Sequence, residues 1–222
     1  MHALKKEGEF LMAIPFIAIE GPIGVGKTTL SKAVAEQQNF QQLKEIVEEN
    51  PFLKKFYDDI EAWSFQTEMF FLCNRYKQLS DIKKELKAGT PVVADYHIFK
   101  NLIFARRTLM QGEYKKYEEI FQILTRDMTM PNVVVYLHAS QETLMKRIAL
   151  RNRNFEQNMD PHYLTQLAAD YEHFIDAFEE ANPHIPVLRF NGDALNFVDN
   201  ADDLAFVLQE IMKVVQKGVN VK

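Results

Sequence analysis

The stretch Pro15-Phe16-Ile17-Ala18-Ile19-Glu20-Gly21-Pro22-Ile23-Gly24-Val25-Gly26-Lys27-Thr28-Thr29 decides the architecture. Pro15–Glu20 is a short apolar run ending at a glycine-rich turn, which reads as a buried strand. Gly21 to Thr28 match the pattern GxxxxGK[ST] in full. The pattern needs a strand before it and a helix after it, and Thr28–Gln38 supplies the helix. The glycines let backbone N–H groups curl around a polyphosphate, and the helix N-terminus adds the positive end of its dipole. Lys27 is placed to bridge the outer phosphates and the Thr28 hydroxyl to ligate a divalent cation. Gly21, Pro22, Ile23, Gly24, Val25, Gly26, Lys27, Thr28 and Thr29 are therefore the expected nucleotide-binding segment. The motif points to nucleoside triphosphate binding and leaves kinases, ATPases, GTPases and helicases open.

Outward from this stretch, strands alternate with helices. Leu43–Val47, Pro91–Asp95, Val133–Leu137 and Pro186–Phe190 read as four further strands. Helical spacing of apolar residues marks Phe52–Tyr57, Ala62–Leu86, Tyr114–Thr125, Gln141–Leu150, Tyr163–Ala181 and Ala201–Lys217. The alternation predicts an α/β fold: a P-loop NTPase-like, five-stranded parallel sheet with helices on both faces. Ligands on such a sheet sit beyond the carboxyl ends of the strands. Residues 14–217 are expected to form a single domain. Residues 1–13 have no apolar core of a secretory signal and are expected to be a disordered extension, with Met12 a possible natural start.

A chain of 222 residues, 47% hydrophobic, is long and apolar enough for one sizeable core. A net charge of −5 with acids and bases interspersed argues against a nucleic-acid partner, which needs a clustered basic face. No apolar run approaches the roughly 18 to 20 residues that span a bilayer. The lone Cys73 leaves no internal disulfide and fits a reducing cytoplasm. It is expected in the core. His97, His138, His162, His173 and His184 show no metal-ligand spacing.

Further motifs narrow the choice. Glu45-Ile46-Val47 closes the expected second strand, followed by Asn50-Pro51. Trp63-Ser64-Phe65 opens a helix that carries Glu68 and Arg75. Asp95 ends the third strand, and Arg147, Arg151 and Arg153 lie in a basic segment followed by Glu156 and Tyr163. In this order and spacing the chain resembles the deoxynucleoside kinase family, in its bacterial deoxyguanosine and deoxyadenosine kinase branch, from about Phe16 to Phe197. The resemblance implies an ATP- and Mg²⁺-dependent transfer to the 5′-hydroxyl of a deoxynucleoside, a homodimer, and a helical lid over the phosphates at about 147–158.

Phosphoryl transfer to a hydroxyl calls for a carboxylate within hydrogen-bond reach. Glu45 suits that place, with Glu48 and Glu49 as competitors. The family's E-P-V motif departs here, with Ile46 in place of proline. Asp95 matches the family's acidic residue that helps hold Mg²⁺, with Thr28. The arginine that follows it in the family is absent, since Tyr96-His97 stand there, and Lys100 is a candidate substitute. By the same resemblance Arg147, Arg151 and Arg153 converge with Lys27 on the migrating phosphoryl group. Glu156 and Tyr57 match the pair that grips the sugar 3′-hydroxyl, and Val47 lines the substrate site.

Glu68 and Arg75 stand two helical turns apart and share a face. The family commonly has glutamine at the Glu68 position. A carboxylate can only accept hydrogen bonds, so it suits the two adjacent donors of guanine and opposes the acceptor N1 of adenine. Arg75 is expected to donate to guanine O6 or to hold Glu68 charged, Asn101 to donate to O6, and Phe104 to stack on the base. The Phe65, Phe70, Phe71 stripe is expected in the core or a dimer interface. The expected substrate is therefore deoxyguanosine. Alternatives are a deoxyadenosine or broad-specificity kinase, a nucleoside monophosphate kinase, a silent nucleotide-binding subunit and, least favoured, a nucleic-acid-dependent ATPase.

Overall fold

The computed structural model describes residues 14–153, 156 and 159–218. The expected extension at 1–13, and lid residues 154, 155, 157 and 158, lie outside the described residues. Five strands form one parallel sheet: β1 (Phe16–Glu20), β2 (Gln41–Leu43), β3 (Val92–Ala94), β4 (Val133–His138) and β5 (Val187–Asn191). Their spatial order is β2-β3-β1-β4-β5. Side chains alternate across the strands. Ile17, Ile19 and Val93 enter one apolar cluster, and Phe16, Val92 and Ala94 the other, so both faces of the central strands β1 and β3 are buried.

The connecting helices are α1 (Lys27–Gln38), α2 (Leu53–Asp58), α3 (Ile60–Lys87), α4 (Lys100–Thr108), α5 (Gln111–Thr125), α6 (Gln141–Arg151), α7 (Pro161–Ala181) and α8 (Ala201–Gly218). None of the described helices is long and apolar enough to cross a membrane. Capping side chains start four of them: Asp59 accepts from Ala62 N, Ser140 from Thr143 N, Asp160 from His162 N, and Asn200 from Asp202 N and Asp203 N. Cys73 is exposed on α3, contrary to its expected burial. Its neighbours Leu72 and Phe71 take the inward face instead.

Two differences from the expected elements bear on the site. The second strand was expected at Leu43–Val47 but runs from Gln41 to Leu43. Strand β3 is short, and its last register pair is Leu43 with Ala94. At the next position the Asp95 carboxylate, rather than a strand, receives the Glu45 N–H at 2.7 Å. Residues 44–47 therefore run past the carboxyl edge of the sheet. Helix α4 was not anticipated as an element, and it brings Lys100, Asn101 and Phe104 to that same edge.

Candidate active site

The loop after β1 wraps the start of α1. Gly26 precedes the helix with φ 107° and no side-chain cap, which leaves the first N–H groups of α1 available to an anion. Gly21 has φ 146°, and a Cβ there would lie 2.2 Å from the Leu137 carbonyl oxygen, so neither conformation nor space admits a side chain. Lys27 Nζ donates to the carbonyls of Gly21 (2.7 Å) and Pro22 (2.9 Å). Burial, with Lys100 nearby, lowers the Lys27 pKa to about 7, against the pull of Glu45, Glu20 and Asp95. Thr28 Oγ1 donates to Asp95 Oδ2 at 2.6 Å. Asp95 thus ties the phosphate loop to the segment that carries Glu45.

A cleft of about 480 Å³ opens above this loop, at the carboxyl ends of the strands. Glu45 sits on its wall between two cations. Arg75 donates to Glu45 Oε1 through Nε (2.9 Å) and Nη2 (2.6 Å), and Lys100 Nζ reaches Oε1 (3.0 Å) and Oε2 (2.8 Å). All three side chains are at most 10% exposed. Burial alone pushes the Glu45 carboxyl up, but Lys100 and Arg75 outweigh it and hold the group at about 2. The other two acids of this segment are elsewhere: the Glu48 side chain is 71% exposed and pairs loosely with Arg153, and Glu49 is exposed.

Deeper in the cleft lies Glu68, two turns along α3 from Arg75. It is 2% exposed, and its Oε2 has no hydrogen-bond partner. Burial pushes its carboxyl up to about 7, with Arg75 and Lys100 pulling the other way. Phe71 and Phe104 form aromatic walls beside it, both lining the cleft. Arg75 lies 4.4 Å over the Phe71 ring. Phe71, expected in the core or a dimer interface, is buried in the core and also shares the α3 face of Glu68 and Arg75, a spacing that could have revealed its place on the cleft wall. Phe65 and Phe70 are half-buried away from the cleft.

Two expected contacts are arranged differently. Arg75 pairs with Glu45 rather than with Glu68, because its guanidinium reaches across to the loop after β2. Asn101 stands behind Arg75 and not on the cleft wall. It is fully buried, its Oδ1 accepts from Arg75 Nη1 at 2.9 Å, and its Nδ2 donates to the Tyr117 hydroxyl at 2.7 Å. Its amide orients the arginine.

The lid arginines divide. Arg147 donates to the backbone carbonyls of Val25 (3.1 Å) and Gly192 (2.9 Å) and braces the phosphate loop against β5. Arg151 forms a two-oxygen pair with Glu156, and Arg153 lies 3.8 Å from the same carboxylate. Val47, Tyr57 and Glu156 line the cleft with them. Burial and the Glu156 charge raise the Tyr57 phenol above its ordinary value.

Glu20 was missed. It ends β1 and is buried, and its Oε1 accepts from His97 N at 2.6 Å, pinning the segment from which Lys100 emerges. Burial pushes its carboxyl up to about 7. An acid closing an otherwise apolar strand was the available signal.

The deoxynucleoside kinase family profile matches residues 17–216. The chain is 50% identical to a deoxyguanosine kinase of Bacillus subtilis, over 90% of this chain and 98% of that one. It is 30% identical to a deoxyadenosine/deoxycytidine kinase of the same organism, over 90% and 92%. Among solved structures, a deoxyadenosine kinase from M. mycoides with bound dATP shares the fold at a TM-score of 0.76 and 24% identity, over 89% and 98% of the two chains. The chain belongs to the deoxynucleoside kinase family.

Proposed function

We propose that this protein transfers the terminal phosphoryl group of ATP to the 5′-hydroxyl of deoxyguanosine, giving the monophosphate and ADP. The observation that carries this reading is a pair of glutamates in one cleft, Glu45 nearly buried and Glu68 buried. One is ionised and clamped by cations beside the phosphate loop, and the other is deeper, with an unpartnered oxygen. The 50% identity to a deoxyguanosine kinase supports the choice of base.

In this reading the phosphate loop and Lys27 hold the ATP phosphates. Glu45 accepts a hydrogen bond from the 5′-hydroxyl and takes its proton as the oxygen attacks. A carboxylate held near 2 is a weak base. The transition state of phosphoryl transfer is loose, however, so the nucleophile needs orientation more than early deprotonation. Lys100 supplies the cation that Tyr96-His97 do not. Arg147 holds the loop in shape, while Arg151 and Arg153 approach the phosphates from the lid. Tyr57 and Glu156 engage the sugar 3′-hydroxyl, and Val47 packs beside it. Glu68 accepts from guanine N1–H and N2–H, Arg75 stands beside the base edge, and Phe104 and Phe71 flank the ring.

A Mg²⁺ ion belongs to this reading. Among the described residues no three acidic, histidine or cysteine side chains form a cluster, and the donors beside the phosphate loop are Thr28 Oγ1 and the Asp95 carboxylate. That set fits an ion that takes most of its ligands from phosphate and water. When bound, the ion neutralises phosphate charge. A homodimer in the cytoplasm completes the proposal, on the family resemblance and the single cysteine.

The test is ATP consumption with each of the four deoxynucleosides and with dGMP. Turnover led by deoxyguanosine supports the proposal. Deoxyadenosine or deoxycytidine as best substrate removes the guanine assignment, and turnover of dGMP alone makes the chain a monophosphate kinase.

A further inference from the structure

We infer that protonation of the Glu68 carboxyl group admits deoxyadenosine to the same cleft as a second substrate, and that the ionised carboxylate excludes it. The inference rests on the guanine reading proposed above.

Glu68 is 2% exposed, lines the cleft, and keeps Oε2 free of protein partners, so a bound base must satisfy it. Ionised, it offers only acceptors. Guanine meets them with N1–H and N2–H, whereas adenine sets the lone pair of N1 against them. A buried mismatch of that kind is strongly rejected. Protonated, the group has one donor and one acceptor. Its O–H can donate to adenine N1 while its carbonyl accepts from the N6 amine. The acid still fits guanine, accepting from N1–H and donating to O6. One proton therefore turns a guanine-selective site into a site for both purines. The cleft, about 480 Å³, leaves room for the small in-plane shift that brings the adenine edge into register.

The surroundings make Glu68 the group that changes charge at this end of the cleft. Facing it are Arg75 on its own helix, Lys100 and Thr108 of α4, and Glu45 from the loop after β2. Tyr57 of α2, Tyr117 of α5 and Tyr163 of α7 complete the shell. Burial raises the three phenols, which stay protonated through the neutral range. Glu45 is held at about 2, while burial brings Glu68 up to about 7. Glu20 and Lys27 are also drawn to about 7, but they lie at the phosphate end and weigh on both substrates alike.

The experiment is kcat/KM for deoxyadenosine and deoxyguanosine across the neutral range, taken as a ratio so that groups common to both substrates cancel. The deoxyadenosine-to-deoxyguanosine ratio is expected to rise about tenfold or more from about pH 8.5 to about pH 6.5. In Glu68→Gln the ratio is expected to be high throughout and flat. If the wild-type ratio is flat while deoxyguanosine is turned over, the inference is wrong and the guanine assignment stands. A Glu68→Gln enzyme that keeps the wild-type slope assigns the titration to another group and overturns the inference. If the variant fails to fold, the wild-type profile decides by itself. Absence of deoxyguanosine turnover at every pH overturns both the inference and the reading beneath it.

Discussion

Glu45 and Glu68 are the same residue type, neither more than about a tenth exposed at its side chain, on the wall of one cleft, yet they sit at opposite ends of the carboxylate range. Glu45 touches Lys100 through both oxygens and Arg75 through one, and it is held at about 2. Glu68 has an unpartnered Oε2, feels Arg75 and Lys100 only at a distance, and is pushed up to about 7. Burial acts on both in the same direction, and only direct partners reverse it. The difference separates a group completed by the protein from one left for a ligand to complete. In the function proposed above, the completed group holds the 5′-hydroxyl in place and the incomplete one discriminates between bases.

The comparison can be broken in order of expected effect. Glu45→Gln removes the carboxylate proposed to orient the 5′-hydroxyl, so kcat is expected to fall by about 10² to 10⁴, with a smaller change in KM for deoxyguanosine. It also strands two buried cations, so its urea midpoint is expected to drop as well. A variant that retains wild-type kcat would remove Glu45 from the mechanism.

Lys100→Ala leaves Glu45 with Arg75 alone. Steady-state kinetics is expected to show kcat reduced by about a hundredfold, and Lys100→Arg to recover part of it. Equal activity in all three forms would mean that Arg75 suffices.

Glu68→Gln is expected to act on selectivity instead. At pH 8 the preference for deoxyguanosine over deoxyadenosine should fall by roughly 10- to 100-fold, the worth of about 1.5–3 kcal/mol in a charged hydrogen bond. A change in kcat equal for both substrates would show that Glu68 does not read the base.

The smallest effect is on stability, and here the two glutamates have opposite signs. Glu45 has a depressed folded pKa, so its contribution is present above its ordinary value near 4.5 and is lost as pH falls toward about 2. Glu68 has a raised pKa, so the folded state favours its acid form, and stability declines as pH rises from about 4.5 through about 7. Glu68→Gln should therefore raise the melting temperature by a few degrees at pH 8 and by nothing at pH 4, measured by calorimetry. A destabilised variant at pH 8 would contradict the strained state assigned to Glu68.

Much of the fold was legible because its signals are local. A glycine-rich loop after an apolar strand and five short apolar runs between amphipathic helices are written in contiguous residues. Positions on one helix face were legible too, as Glu68 and Arg75 show. The pairing of Arg75 was not, since whether it meets Glu68 on its own helix or Glu45 on a loop depends on how α3 crosses the sheet edge. The same holds for Asn101, whose role follows from standing behind Arg75, and for Glu45, whose position depends on where β3 stops offering a partner to β2. Lys100 was reachable only as a nearby cation after a motif that lacks its arginine. Its two-oxygen contact with Glu45 is a tertiary fact.

The central claim is that the Glu68 carboxylate reads the guanine edge. Deoxyinosine tests it most directly, since it keeps N1–H and lacks the N2 amine. At pH 8 the wild-type kcat/KM for deoxyinosine is expected to lie about tenfold or more below that for deoxyguanosine, and the gap should shrink in Glu68→Gln. Equal values for the two substrates in the wild type, or an unchanged gap in the variant, would contradict it.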